Sequence, residues 1–223
     1  MNPSREAEKS MFNELIQILS EQTLSKEDLA KLKVKLCGKY KVKKIPTDIQ
    51  ILLHCPLDKL DKVKVSTYTK PTRTGSGVAV VAIMCEPREC PHGACIMCPS
   101  MTEQGAPQSD TGREPASLRA ARNEFDPYMQ VFNKLEQYIV LGQNPEKVEL
   151  IIMGGTFPSY PKEYQENFVT QAFKAMNDFS KLFFDNNTFL VENFREFFEL
   201  PGDVSDKKRE TNIKSKIEQF RAK

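Results

Sequence analysis

The sequence has no tryptophan, few glycines and no long apolar run. None of its stretches approaches the roughly 20 consecutive apolar residues that a membrane-spanning helix requires. Its first residues, MNPSREAEKS, do not form a secretory signal peptide. We therefore expect a protein that neither crosses a membrane nor is secreted. The 14 phenylalanines among its 223 residues still allow a sizeable core, and this length predicts one or two domains.

A shortage of acidic residues marks the front of the chain. Residues 1–75 hold 15 Lys and Arg against 9 Asp and Glu, whereas residues 76–223 hold 17 against 21. No Asp or Glu interrupts a run of seven lysines: Lys31, Lys33, Lys35, Lys39, Lys41, Lys43 and Lys44. The run favours an anionic partner, with nucleic acid as the leading candidate. Tyr40 could stack on a base of such a partner, and Arg73 could contact a phosphate. A solvated lysine face is the alternative interpretation.

The cysteines are few but clustered. Four of the six fall within fourteen residues, at Cys85, Cys90, Cys95 and Cys98, while Cys37 and Cys55 stand alone. A secreted disulfide protein would spread its cysteines along the chain, so the cluster indicates a metal or redox site in a reducing compartment. We therefore expect a cytoplasmic protein.

The periodicity of apolar residues predicts helices in the N-terminal part of the chain and an α/β arrangement in the part that follows. Residues 4–54 predict three short helices, two of them capped by Ser25 and Thr47. Residues 56–75 are polar and rich in lysine, which predicts a linker or irregular extension.

Two apolar segments, 78–84 and 148–153, are typical of buried strands in a parallel sheet. The segment between them predicts a helix from Pro115 to about Gly142 that is bent or broken at Pro127. Further helical patterns occupy the remainder of the chain, at about 161–179, 188–199 and 206–222. Strand, helix, strand and helix in this order predict a βαβ unit.

The spacing Cys90-x4-Cys95-x2-Cys98 places three thiolates on one loop after the first strand. Thiolates bind iron–sulfur clusters, zinc or Cu(I). Three ligands leave one iron of a 4Fe-4S cluster open, as a radical S-adenosylmethionine enzyme requires. A structural zinc site with Cys85 or His92 as fourth ligand is the alternative. The spacing alone leaves both open, while the glycine pair that ends the second strand favours the cluster.

Two long segments carry a family resemblance: SGVAVVAIMCEPRECPHGACIMCP and PQSDTGREPASLRAARNEFDPYMQVFNKLEQYIVLGQNPEKVELIIMGGTFPSYPKEY. They resemble the catalytic subunit of Elongator, a radical-SAM tRNA uridine acetyltransferase, in its archaeal or bacterial form. The resemblance is close over residues 73–205 and looser before them. It implies an α/β fold in which a small basic helical domain (1–75) precedes the first part of a radical-SAM (βα) barrel (76–223). It also implies that the chain is truncated and lacks a C-terminal acetyltransferase domain.

The resemblance implies an enzyme that installs a carboxymethyl-type group on C5 of wobble uridine 34 in tRNA, with acetyl-CoA as carbon donor. It implies Cys90, Cys95 and Cys98 as ligands of a 4Fe-4S cluster and no ligand role for Cys85. Gly154 and Gly155 would bind S-adenosylmethionine, and Lys147 would contact acetyl-CoA. The implied tRNA-binding residues are Lys33, Lys35, Lys39, Lys41, Lys43, Lys44 and Arg73.

The resemblance also has departures and open alternatives. Asp110 stands where the family commonly has an aromatic residue, which removes any stacking contact there. Arg119 and Arg122 are further candidates for the tRNA path, and the expected partners are tRNA with a second copy or Elongator-type subunits. We expect no membrane partner and no activity from the fragment alone. The alternative function is a non-catalytic tRNA-binding module with structural zinc; a methylthiotransferase is disfavoured by the cysteine spacing.

Truncation would also leave apolar side chains without cover after residue 180. The residues that we expect to be exposed in this way are Phe183, Phe184, Phe194, Phe197 and Phe198.

Overall fold

The computed structural model describes residues 3–67, 74–99, 102–143, 145–186, 188–202 and 206–222. Arg73, one of the predicted tRNA-binding residues, lies outside the described residues. We call residues 3–67 the helical region and the described residues from 74 onwards the α/β region. None of the helices in the described ranges is long and apolar enough to span a membrane.

The helical region contains four helices: α1 (Pro3–Glu21), α2 (Lys26–Tyr40), α3 (Asp48–His54) and α4 (Leu57–Thr67). Ser25 caps α2 by accepting a hydrogen bond from the main chain of Asp28, and Thr47 forms a reciprocal capping box with Gln50. The three predicted helices and both predicted caps are therefore confirmed. Their apolar faces enclose one core, which includes Met11, Leu15, Leu29, Leu36 and Ile51.

Helix α4 corrects the first part of the prediction of a linker or irregular extension over residues 56–75, of which residues 68–73 lie outside the described residues. Val63 is fully buried against α1, and Leu60 packs at the edge of the same core. The spacing of three residues places both side chains on one face of the helix. The lysines and aspartates between them obscured this short apolar stripe, which only the packing against α1 makes stable.

The α/β region is built on two parallel strands, β1 (Ala79–Met84) and β2 (Val148–Met153). The strands pair in register from Ala79 opposite Val148 to Met84 opposite Met153, which confirms the predicted βαβ unit. Four of the six residues of β1 are buried, whereas on β2 Glu149 is exposed and Ile151 is 40% exposed. The prediction of a buried second strand therefore holds for one face only, because no described segment covers the face that carries these two residues.

The connection between the strands contains two helices, α5 (Pro115–Arg122) and α6 (Pro127–Val140). The chain turns at residues 123–126, and Asp126 caps α6 by accepting a hydrogen bond from the main chain of Met129 over 2.9 Å. The predicted break at Pro127 is confirmed. Proline suits the first turn of a helix, where its missing N–H leaves no hydrogen bond unmade.

Side chains from α6 bond to the outer edge of β1. Tyr138 donates to the carbonyl of Val80 over 2.7 Å, and the Gln130 amide bonds to both the N–H and the carbonyl of Met84 at 2.9 Å. Arg119 of α5 donates to a third carbonyl of the same edge and is only 6% exposed. Arg119 is therefore neither a solvated surface residue nor available as a candidate for the tRNA path, since its guanidinium is turned into the protein.

The described chain ends in helices around a small antiparallel pair of strands. These elements are α7 (Lys162–Phe183), β3 (Phe184–Asp185), β4 (Thr188–Phe189), α8 (Val191–Phe197) and α9 (Lys207–Arg221). The predicted helical segments are confirmed, although the first residues predicted as helix after 188 form β4.

The apolar residues after 180, which we expect to be exposed unless another element covers them, are covered within the described chain, with Phe184 and Phe197 partly buried. Phe183, Phe194 and Phe198 are at most 2% exposed, because they pack on one another and on the core beneath α7. Ile213 and Ile217 of α9 join the same core. These aromatic residues therefore belong to the same core as β1 and α6.

Candidate cofactor site and basic surface

The candidate cofactor site lies at the carboxyl end of the sheet. The cysteine loop, residues 85–98, follows β1, and the glycine turn, Gly154–Gly155, follows β2. The main-chain N–H of Cys85 donates to the carbonyl of Met153 over 3.0 Å, which continues the ladder one residue beyond the strands. Because parallel strands end at the same edge of a sheet, the two segments are brought together.

The cysteine loop is built from two tight turns. The N–H of Gly93 donates to the carbonyl of Cys90, and the N–H of Cys98 donates to the carbonyl of Cys95, both over 2.9 Å. Cys90 and Cys98 are half-buried, Cys95 is exposed, and all three are free thiols. Cys90 therefore begins the first turn, while Cys95 begins the second turn and Cys98 ends it.

Cys90 lies directly against the glycine turn. The Thr156 hydroxyl donates to Cys90 Sγ over 3.3 Å, and a Cβ atom at Gly155 would lie 3.7 Å from that sulfur. A Cβ atom at Gly154 would lie 3.2 Å from the Pro107 side chain. Both glycines have positive φ angles, 104° and 53°, which side chains disfavour. The structure therefore brings together two segments that the sequence analysis assigned to one site.

The other two cysteines have separate contacts. Cys98 Sγ accepts a hydrogen bond from the main chain of Ser109 over 3.2 Å, and Cys95 Sγ lies 3.4 Å from Nε2 of His92. Within the described ranges, no group of three or more His, Cys, Asp or Glu side chains is arranged to hold a metal ion. The predicted three-cysteine ligand set therefore stays a prediction.

Cys85 is a core residue. Its side chain is fully buried in the apolar cluster around β1, and this burial raises the pKa of its thiol to about 12. This burial among apolar side chains supports the interpretation of Cys85 as a packing residue. His92, which lies beside Cys95, is a candidate for a fourth zinc ligand.

Two tyrosines hold the start of the cysteine loop. Tyr160 donates to the carbonyl of Glu86 over 2.7 Å, and the hydroxyl of Tyr164 accepts a hydrogen bond from the Glu86 N–H over 3.1 Å. Their rings stack with centroids 4.9 Å apart. Neither these tyrosines nor Gln108 and Thr156 were predicted as site residues from the sequence. The only available signal was the spacing of four residues between the two tyrosines, which can bring their rings into contact.

Asp110 lies beside the site as a buried carboxyl group. It is 8% exposed, and burial, with the charge of Glu114 adding to it, raises its pKa. Hydrogen bonds from Thr111 lower the pKa of Glu114 to about 2, so that carboxylate stays charged. An acidic group therefore occupies the position at which the family commonly has an aromatic ring.

Lys147 lies at the opposite end of β2 from the glycine turn. Its side chain is exposed, and its carbonyl accepts a hydrogen bond from the Ala79 N–H over 2.8 Å. Seven residues of extended chain separate it from Gly154, which corresponds to roughly 20 Å. The structure thus holds the Lys147 backbone in the sheet, as expected, but does not bring the residue to the cysteine loop.

The lysine run divides into paired and unpaired side chains. Lys33 is buried and forms an ion pair with Asp48, while Lys39 Nζ lies 2.6 Å from a carboxylate oxygen of Glu14. Tyr40 also donates to Glu14, so its hydroxyl is already engaged within the protein. Within the described chain, four exposed lysines of the run form no ion pair; we call them the basic surface: Lys35, Lys41, Lys43 and Lys44.

Residues 6–75 match the family model for the ELP3 N-terminal domain. The chain is 39% identical over 175 residues to Elongator complex protein 3 of Saccharomyces cerevisiae, a match covering 75% of this chain and 31% of the relative. It is 40% identical over 161 residues to tRNA uridine(34) acetyltransferase of Methanocaldococcus infernus, a match covering 70% of this chain and 30% of the relative. It is 38% identical over 158 residues to Elongator complex protein 3 of Homo sapiens, a match covering 67% of this chain and 29% of the relative.

These matches span about a third of the length of the curated relatives. Each match is longer than the 70 residues that the family model covers, because it takes in at least 67% of this chain. The resemblance found in the sequence is confirmed: residues 6–75 match the ELP3 N-terminal domain, and the chain is similar to proteins named Elongator complex protein 3 and tRNA uridine(34) acetyltransferase.

Proposed function

We propose that this chain is part of an enzyme that modifies C5 of uridine 34 in tRNA. The contact of Cys90 with Gly155 is the observation that carries the proposal, since it unites the thiol loop and the glycine turn. The names of the relatives, which refer to tRNA uridine 34 and to Elongator, support the substrate and the reaction class. The product would carry a carboxymethyl-type group derived from acetyl-CoA.

The donor set fits an iron–sulfur cluster. Cys90, Cys95 and Cys98 would supply three thiolates, the ligands that such clusters prefer, from a loop with two half-buried members and one exposed member. The bare main chain of Gly154 and Gly155 would hold the amine of S-adenosylmethionine. When bound, the cluster and this cofactor would supply the one-electron chemistry that activates a C–H bond.

The residues around the thiols would tune and shield the site. The hydroxyl of Thr156 donates to Cys90 Sγ, and a hydrogen bond to a ligand sulfur alters its donor strength. Ile96 and Met97 between the last two cysteines are exposed, at 103% and 88%. They would exclude water from the site once a substrate covers them.

The basic surface would bind the tRNA backbone. Lys35, Lys41, Lys43 and Lys44 offer positive charges that no ion pair in the described chain neutralises. Phosphate contacts of this kind give affinity without base specificity and release counterions. Lys33 has no part in this surface, because it is buried against Asp48.

Lys147 would contact acetyl-CoA. Its exposed ammonium group offers a point charge to a coenzyme A phosphate. Its distance from the glycine turn means that the coenzyme would approach from the other end of the sheet. A second copy of the chain or Elongator-type subunits would be the protein partners.

One observation favours a second candidate, a tRNA-binding module with structural zinc. Nε2 of His92 lies 3.4 Å from Cys95 Sγ, a separation compatible with two ligands of one tetrahedral zinc ion. The basic surface would serve this function equally well.

Metal analysis separates the two candidates. We would load the full chain anaerobically with iron and sulfide, and separately with zinc, and measure each element per chain. Roughly four irons with matching sulfide would support the enzyme. One tightly held zinc without sulfide would support the module, and would overturn the proposed cluster.

A further inference from the structure

One buried glutamine lies where the segments of the candidate cofactor site meet. Gln108 follows the cysteine loop, belongs to no helix or strand, and is 5% exposed. Neither the charge pattern nor the cysteine spacing singles it out. Its side chain and its main chain bond to different segments.

The contacts of Gln108 reach both parts of the site. Its Oε1 accepts a hydrogen bond from the Cys90 N–H, and its Nε2 donates to the carbonyl of Gly93 over 3.4 Å. Its own carbonyl accepts from the Gly155 N–H over 3.2 Å. One residue therefore ties the first cysteine, the turn that follows it and the glycine turn.

The cysteine loop depends on such contacts because it has no regular structure. Residues 85–99 form neither helix nor strand, so their main-chain groups need other partners. Glutamine offers an acceptor and a donor on one planar group. A glutamate at position 108 would keep the oxygen that accepts from the Cys90 N–H but lose the donor to Gly93. A leucine there would lose both hydrogen bonds.

We propose that Gln108 is a positioning residue that holds Cys90 against the Gly154–Gly155 turn. The inference rests on the proposed function, since the cluster is the group that would use this geometry. Gln108 would touch no reacting atom; it acts through the main chain of Cys90 and Gly155. The residue thereby couples the position of the first thiolate to that of the glycine turn.

Two variants and one matched control test this role in the full chain. Gln108→Leu removes both side-chain hydrogen bonds, and Gln108→Glu restores the acceptor for Cys90. Gln130→Leu is the control, because Gln130 is also fully buried and also bonds through its amide, but to Met84 of strand β1. The readouts are amide hydrogen exchange in the metal-free chain and iron per chain after anaerobic loading.

We expect the Cys90 amide to exchange about tenfold faster in Gln108→Leu than in the parent chain, because its buried acceptor is gone. In Gln108→Glu the exchange should return to the parent rate, and in Gln130→Leu it should not change. Iron retention should fall to about half or less in Gln108→Leu and recover in Gln108→Glu. Recovery by glutamate separates positioning from a general loss of stability.

Parent-like exchange at Cys90 in Gln108→Leu would overturn the positioning role. An equal acceleration in Gln130→Leu would also overturn it, since the effect would then be general. If the parent chain takes up no iron and sulfide, the proposed function fails. The exchange rates in the metal-free chain still decide the role of Gln108 in that case.

Discussion

The helical region and the α/β region present their candidate functional residues in opposite ways. In the helical region the basic surface consists of exposed side chains, while separate residues such as Leu15 fill the core. In the α/β region the candidate residues lie on loops, and buried contacts such as those of Gln108 hold these loops. A surface of charges needs only folded helices beneath it, whereas a site on loops needs each loop to be held by specific partners.

This difference predicts different responses to substitution. Exposed lysines can be replaced without loss of stability, because surface changes away from caps and buried pairs have small effects. Residues of the cysteine loop and its supports are coupled, because one side chain contacts several segments.

The cysteine loop should give the largest effect. Replacement of Cys90, Cys95 or Cys98 by Ser should abolish the broad absorption near ~400 nm that the anaerobically loaded chain would show with a 4Fe-4S cluster. Absorption spectra of each variant provide the measurement. Cys85→Ala is the control and should keep the absorption, since Cys85 is a core residue. Loss in Cys85→Ala with retention in Cys95→Ser would refute the ligand assignment.

The basic surface should respond in affinity but not in stability. Joint replacement of Lys35, Lys41, Lys43 and Lys44 by Gln should make tRNA binding less dependent on salt. The slope of log K against log salt concentration should decrease in magnitude by roughly 0.7–0.9 for each phosphate contact that is lost. Binding titrations at several salt concentrations measure this slope, and thermal unfolding checks that the fold is unchanged.

Two controls sharpen the test of the basic surface. Joint replacement of four exposed lysines of the α/β region should leave the slope unchanged; these are Lys162, Lys181, Lys207 and Lys208. Lys33→Gln should also leave the slope unchanged while lowering stability, because Lys33 is bound to Asp48. An unchanged slope in the four-lysine variant of the basic surface would identify it as a solvated face.

Lys147 is an exposed residue of the α/β region, so it should behave like a surface charge. In an active protein that includes this chain, Lys147→Ala should lower tRNA-stimulated acetyl-CoA turnover by about tenfold, equivalent to about 1.4 kcal/mol. Stability and tRNA affinity should stay the same, since the side chain contributes nothing to the core. Lys208→Ala is the matched control, and normal turnover in Lys147→Ala would refute the acetyl-CoA contact.

A buried acid of the α/β region predicts a pH effect on stability. Burial raises the pKa of Glu136 to about 7 from an ordinary value of 4.5, although Arg209 lies 3.9 Å away and opposes the shift. Because the folded state binds this proton more tightly, the contribution of Glu136 to stability is greatest below pH 4.5 and is lost as the pH rises towards 7. Glu136→Gln should remove this decrease, which we expect to be about 1 to 3 kcal/mol.

Urea unfolding at pH values between 4.5 and 8 measures the contribution of Glu136. Glu210→Gln is the control, because Glu210 is exposed on the neighbouring helix α9. The same pH dependence in Glu136→Gln and in the parent chain would contradict the assignment.

Much of the fold followed from local sequence signals. The caps at Ser25 and Thr47, the apolar strands and the break at Pro127 depend on residues within a few positions of one another. Helix α4 escaped prediction because its propensity is weak and its apolar stripe is short. The burial of Phe183 and its neighbours escaped prediction because it depends on how α7, α8 and α9 pack.

The candidate site was predictable in part. The spacing of the cysteines marked the first loop, because clustered thiols are typical of metal or redox sites. The glycine pair was weak evidence by itself, because most such pairs are simply turns. Gln108 and Thr156 carried no such signal, because single polar residues in loops are common. Their roles depend on contacts with Cys90, 18 and 66 residues away in the chain.

Local sequence signals were enough to predict most of the helices and strands, the region of concentrated positive charge and the loops that carry thiols. Which of these residues are available for function depends on how the folded chain packs. This packing buries Lys33 against Asp48, turns Arg119 into the edge of β1, and places Cys90 at the glycine turn. The physical reason is that local structure depends on neighbours in the chain, whereas exposure, pairing and proximity depend on partners that only packing brings together.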